Sequence, residues 1–226
     1  MIALDIPPFG FSDRAGGYAR SDQVVRVNDV LNALRATAAV IVGHSVGSGV
    51  AAEFVMRYPQ SARGFVLIDP ALGLTSPPSD LLPLFRPKWI REILVSLTVT
   101  NPLATKPLLR SMIARKDRAL PQYIDVLQRP WVLRGSTPAF ADWLQEFLGY
   151  ERDALSNDRQ SYRRIKIPVA LLWGDKDTVT PLDQAYDLQT LLPQATLTIL
   201  PGLGHIPQIE DPAAFNDALL KALGKL

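Results

Sequence analysis

The chain has 226 residues, enough for one domain with a sizeable core, and its 47% hydrophobic and 20% charged content is that of an ordinary globular protein. A formal net charge of +2 is too small to argue for a nucleic acid or an anionic membrane as partner. With no cysteine, and only His44 and His205 as histidines, the sequence excludes disulfides and cysteine catalysis and argues against a metal centre.

No apolar run approaches the roughly 20 residues that cross a bilayer. The N-terminus lacks the basic start and apolar core of a signal peptide, which points to the cytoplasm.

In chain order, Ile2–Ile6 (IALDI) reads as a short buried strand closed by a turn at Pro7-Pro8-Phe9-Gly10. Val24, Val27, Leu31 and Leu34 recur at helical spacing after Ser21, a candidate cap. Ala39–Gly43 (AVIVG) is a second strand, followed by a helix over 46–58 that Pro59 stops. Gly64–Asp69, Val169–Trp173 and Thr196–Leu200 are further strands. Thr180-Pro181 and Asp211-Pro212 carry helix-start signals, the first with Asp183 three residues past the cap. Continuous apolar strands alternating with helices predict an α/β fold with a parallel sheet covered on both faces.

Between 71 and 162 this rhythm breaks into helical patterns around 81–97, 103–118 and 139–148. That stretch reads as a helical cap inserted into a core made of 1–70 and 163–226. Its densest basic cluster, Arg110, Arg115, Lys116 and Arg118, reads as a solvated helix face.

Gly43-His44-Ser45-Val46-Gly47 matches G-x-S-x-G between a β-branched strand and a helix, the context a nucleophile elbow requires. The glycines permit a sharp turn and close strand–helix packing, helped by Gly49, Ala51 and Ala52. The Val46 N–H and the positive helix end then face a developing oxyanion. A serine hydroxyl needs a base. His44 should project to the other side of the turn, as a packed strand-end residue, which leaves His205 in the Gly-rich loop after the last strand. Asp177, just past the Val169–Trp173 strand, is the first choice to orient that histidine. Asp175, otherwise a turn residue bonding its own backbone, and Asp69, at another strand end, remain rivals.

These motifs resemble the α/β-hydrolase superfamily over nearly all of the chain outside 71–162. Ile2–Asp13 is similar to the family's D-x-P-G-x-G-x-S strand and turn, with Pro8 in place of a glycine. Ile41–Gly47 resembles the elbow, Leu171–Pro181 the acid loop and Pro201–Pro212 the histidine loop. The serine separates the chain from the epoxide hydrolases and haloalkane dehalogenases of the same fold, which use an aspartate. In the family, three strands precede the position of Ile2. The third leads into a His-Gly loop that supplies a second oxyanion donor. By that resemblance the first strands are missing and the chain is truncated at its N-terminus.

The function so implied is cofactor-independent cleavage of a carboxylic ester or related acyl bond through an acyl-enzyme on Ser45, with no metal. Similar enzymes cleave C–C bonds of ring-fission products or run perhydrolysis. Leu81–Leu97 and Leu103–Ile113 are apolar enough to suit a hydrophobic ester or ketone, and Trp89, Trp131 and Trp143 line either a pocket or a core. The alternative is a non-catalytic binding protein, or an inactive fragment, that keeps the fold.

Overall fold

The computed structural model describes residues 1–74, 82–148 and 154–226. Its sheet has four parallel strands in the order of the chain: β1 (Ala39–His44), β2 (Ala62–Ile68), β3 (Val169–Gly174) and β4 (Thr196–Leu200). Alternate residues of the central strands serve opposite faces, as the pleat dictates. Phe65, Leu67, Leu171 and Trp173 enter one core cluster, and Val66, Ile68, Ala170 and Leu172 enter another. Helices α1 (Arg20–Ala33) and α2 (Gly47–Arg57) follow each other across β1. The first cluster also takes Ala51, Ala52 and Val55 of α2, and the second takes Phe215, Ala218 and Ala222 near the C-terminus. Both faces are therefore covered, which is why β2 and β3 read as unbroken apolar runs.

Ile2–Ile6 is not a strand. Ile2 is 53% and Leu4 40% exposed, and Ile6 packs beside Val24, Val50 and Phe54 instead of joining the sheet. An apolar run becomes a strand only where a neighbour accepts its hydrogen bonds, and no described residue pairs with the outer edge of β1. The following turn is present, with the Phe9 N–H donating to the Ile6 carbonyl at 2.8 Å. Ser21 does not cap α1, which starts one residue earlier behind Ala19.

The described residues between β2 and β3 contain no strand. They form α3 (Lys88–Leu97), α4 (Pro102–Met112), α5 (Pro121–Gln128), α6 (Ser136–Leu148) and α7 (Arg159–Tyr162). Leu81 lies outside the described residues. Val95 of α3 and Ala139, Phe140, Ala141 and Trp143 of α6 form a separate core that reaches Tyr18, Phe9 and Val46. This stretch is tied to the main body at both ends. On the way out, the Ala71 N–H donates to the Ser45 carbonyl at 3.0 Å. On the way back, the buried Glu53 carboxylate of α2 accepts the N–H groups of Leu155 (3.2 Å) and Ser156 (2.7 Å). The chain then finishes as α8 (Asp183–Leu191), α9 (Pro207–Glu210) and α10 (Pro212–Leu223). Asp211 caps α10 through Ala214, as its sequence signal predicts. No described helix is long and apolar enough to cross a membrane.

Candidate active site

Ser45 follows β1 in a left-handed conformation, φ 49°, which a side chain adopts only at a cost in strain. Two features hold it there. Its N–H continues the ladder by donating to the Ile68 carbonyl at 3.1 Å, and its carbonyl receives Ser48 and Ala71. The preceding Gly43 has no room for a side chain: a Cβ there would stand 2.7 Å from the Ser48 Cα and 2.8 Å from the Ala51 Cβ. Helix α2 therefore starts directly against the strand end. Gly47 is different, since a Cβ there would meet open space, so the tightness of the turn rests on Gly43 and Ser45.

His205 Nε2 lies 2.7 Å from Ser45 Oγ, and His205 Nδ1 lies 2.8 Å from Asp177 Oδ2. An ionised carboxylate only accepts, so Nδ1 carries the proton and the Nε2 lone pair faces the serine hydroxyl. Asp177 and His205 are both buried. Burial alone would raise the Asp177 carboxyl. Hydrogen bonds from His205 and from the Thr180 hydroxyl and N–H outweigh it and hold the group below the ordinary carboxylate range.

Thr180 is a site residue that sequence reasoning missed. Its hydroxyl donates to Asp177 Oδ2 at 2.6 Å, while the N–H groups of Val179 and Thr180 donate to Oδ1 at 2.7 and 2.9 Å. Helix α8 consequently begins at Asp183 behind Leu182, and Thr180 does not cap it. The signal was present in the spacing, because a hydroxyl three residues after an acid can fold back on it.

The structure separates the rival acids. Asp69 Oδ1 accepts the Gly174 N–H at 2.8 Å, and Oδ2 is buried without a hydrogen-bond partner. Burial pushes this carboxyl up to about 8, opposed by the Gly174 N–H and reinforced by the nearby Asp177 charge. Asp175 accepts the Gly202 N–H at 2.6 Å, which braces the histidine loop, and pairs with Lys176 at 3.7 Å. His44 Nε2 lies 2.7 Å from the His205 carbonyl oxygen, and the two histidine rings are 5.3 Å apart.

A cavity of about 200 Å³ lies beside Val46, lined by Phe9, Tyr18, Val50, Trp143 and Phe147 with Arg20 and Glu146 among the polar groups. The Trp143 and Phe147 rings stack at 4.9 Å, and Phe9 meets Trp143 edge-on at the same separation. Trp131 packs edge-on against Phe140. Trp89 is 63% exposed and contributes to neither. The basic cluster is not simply solvated either: Arg115 pairs with Asp211 at 2.9 Å, and Arg118 donates to the Glu210 carbonyl at 3.1 Å.

Residues 1–212 match the family described as the alpha/beta hydrolase fold. A protein of Mycobacterium tuberculosis is 26% identical over 229 residues, which cover 96% of this chain and 65% of that protein. The chain thus spans slightly less than two thirds of that relative's length. The 2-hydroxy-6-oxononadienedioate/2-hydroxy-6-oxononatrienedioate hydrolase of Paraburkholderia phymatum is 28% identical, covering 100% of this chain and 76% of the relative. A meta-cleavage product hydrolase from Pseudomonas fluorescens superposes with a TM-score of 0.78 at 22% identity, over 96% of this chain and 76% of its own. On this evidence the chain belongs to the α/β-hydrolase fold family.

Proposed function

We propose that the chain is a serine hydrolase that cleaves a carboxylic ester, or a related acyl or C–C bond, through an acyl-enzyme on Ser45. The observation that carries this reading is the unbroken hydrogen-bond chain from Ser45 Oγ through both nitrogens of His205 to Asp177. In this mechanism His205 Nε2 takes the serine proton as Oγ attacks the carbonyl carbon. Asp177 stabilises the imidazolium that forms. The Val46 N–H, at the start of α2, donates to the developing oxyanion. The proton on Nε2 passes to the leaving group as the scissile bond breaks. Water then attacks the acyl-enzyme, losing its proton to His205, which returns it to Ser45 Oγ as the Oγ–acyl bond breaks and the free acid departs.

Residues 71–162 act as the cap over this centre, and the cavity beside Val46 takes the apolar part of a small substrate. Two activities fit one nucleophile. Ester cleavage needs nothing further, while the name of the Paraburkholderia relative, a 2-hydroxy-6-oxononadienedioate/2-hydroxy-6-oxononatrienedioate hydrolase, lends support to a C–C substrate for this chain.

The test is turnover of a short p-nitrophenyl ester and of a ring-fission-type keto acid, for the native chain and for Ser45→Ala, with fluorophosphonate labelling of Ser45. Turnover and labelling that vanish in the variant support the reading. A chain that is neither labelled nor active, or a variant as active as the native chain, would sink it and leave a non-catalytic binding protein.

A further inference from the structure

Glu210 is fully buried, yet it belongs to none of the groups that touch Ser45. Its Oε1 accepts the Gly204 N–H at 2.7 Å, and its Oε2 accepts the N–H groups of Ala114 (2.7 Å) and Arg115 (2.8 Å). One carboxylate therefore grips the residue just before His205 and the chain just after α4. The same joint is closed by the His205 N–H, which donates to the Met112 carbonyl at 3.0 Å. Gly204 shows how tight it is: a Cβ there would stand 2.7 Å from the Ala114 nitrogen and 3.0 Å from the Met112 oxygen.

We propose that Glu210 is a positioning residue, which sets the reach of His205 to Ser45 by clamping the histidine loop onto the end of α4. This rests on the catalytic reading of Ser45, His205 and Asp177 given above. The main chain at His205 is fixed on three sides. Glu210 holds the preceding N–H, Met112 takes its own N–H, and His44 meets its carbonyl. A carboxylate suits this joint because it presents two acceptor oxygens and no donor to three N–H groups. An amide would turn an NH₂ toward at least one of those donors and leave it buried and unpaired. Because Ala114 and Arg115 follow directly on α4, the clamp also links the position of the helical stretch to that of the base.

The experiment compares Glu210→Gln and Glu210→Asp with Glu53→Gln. Glu53 is an equally buried carboxylate that accepts main-chain N–H groups, and its partners Leu155, Ser156 and Arg57 lie outside the histidine loop. Three quantities are measured: melting temperature, ester turnover per fluorophosphonate-titrated site, and the imidazole N–H resonances of ¹⁵N-histidine-labelled protein. The spectrum is simple, since His44 and His205 are the only histidines.

Both Glu210 variants should lower kcat per titrated site by roughly 10–100-fold, the effect of misplacing a reacting group by about 1 Å. KM should stay within about twofold, and the His205 resonance should shift or broaden. Glu53→Gln should lower the melting temperature while leaving both the per-site kcat and the His205 resonance in place. Unchanged per-site turnover with an unmoved resonance in both Glu210 variants would overturn the proposal, as would equal effects from Glu53→Gln. If the native chain is neither labelled nor active on the ester or the keto acid, the catalytic reading fails. The resonance alone then decides the clamp, a shift supporting it and an unmoved signal overturning it.

Discussion

The Nε2–H of His44 donates to the main-chain carbonyl of His205 at 2.7 Å, so the residue beside Ser45 supports the loop that carries His205. Burial of the His44 ring pushes its pKa from 6.5 down to about 4, with the His205 carbonyl opposing the shift. A base whose folded pKa is depressed stabilises the fold fully above its unfolded value and loses that contribution as pH falls through the folded one. The window here runs from 6.5 down to about 4. His44→Gln keeps a donor and removes the titration. Its melting temperature should therefore fall less steeply across that window than the native chain's; equal slopes would rule out His44 as the source.

The hydrogen-bonded trio should act as a unit. Ser45→Ala and His205→Ala are each expected to cost up to about 10⁶-fold in turnover, with the double variant scarcely worse. Asp177→Asn should cost up to about 10⁴-fold through the wrong histidine tautomer. Thr180→Val keeps the shape and both N–H donors but loses the hydroxyl on Asp177. A hydrogen bond to a charged group contributes roughly 1.5–3 kcal/mol, so a loss on the order of tenfold or more in kcat/KM is expected. Steady-state kinetics on one ester series reads all five.

Asp69→Asn should separate the two acids. The amide oxygen can still accept the Gly174 N–H, so turnover should stay near the native level while Asp177→Asn loses it. The Asp69 carboxyl has its folded pKa raised from 3.8 to about 8. An acid shifted upward contributes stability that is complete below the unfolded value and is lost as pH rises through the folded one. The melting temperature of Asp69→Asn, relative to the native chain, should therefore climb between pH 3.8 and about 8. Full activity in Asp177→Asn with none in Asp69→Asn would exchange the two assignments.

Trp143 sits between Phe9, Phe140 and Phe147 and lines the cavity beside Val46. Trp143→Ala should destabilise the fold by about 3–5 kcal/mol, as large-to-small changes at aromatic core positions do. The same change enlarges the cavity. The preferred acyl chain among p-nitrophenyl esters should become longer, and an unaltered preference would place the substrate elsewhere.

The strands β1 to β4 were legible as short runs rich in apolar and β-branched residues, and the serine turn by the glycines on either side of Ser45. Ile2–Ile6 has the same composition and is not a strand, since pairing depends on a neighbour that a run of letters does not specify. Thr180 was misread because a hydroxyl before Pro181 signals a helix cap just as well as a second bond to Asp177. Helix α5 escaped notice for a different reason. Its Val126 is 60% exposed, so its apolar residues do not gather on one buried face. The clasp at Glu210 joins residues 96 positions apart, Ala114 and Glu210, and no local pattern announces a bond of that span.

The two attachments of the helical stretch have a consequence for how such a protein can diversify. The path leaves at Ala71 against Ser45 and returns at Leu155 and Ser156 against Glu53, so both anchor points lie on one short helix and its leading turn. The ends of the excursion are thereby brought together by groups outside it. The entropic cost of closing a loop grows only slowly with its length. Outside the joint that Met112, Ala114 and Arg115 make with the histidine loop, the intervening segment can then be lengthened or shortened with little penalty to the body that holds it. A graft of a foreign segment between those two docking points would leave Ser45 in place and bring a pocket of its own, but it would have to replace the Ala114 and Arg115 N–H groups that Glu210 holds and the Met112 carbonyl that meets His205.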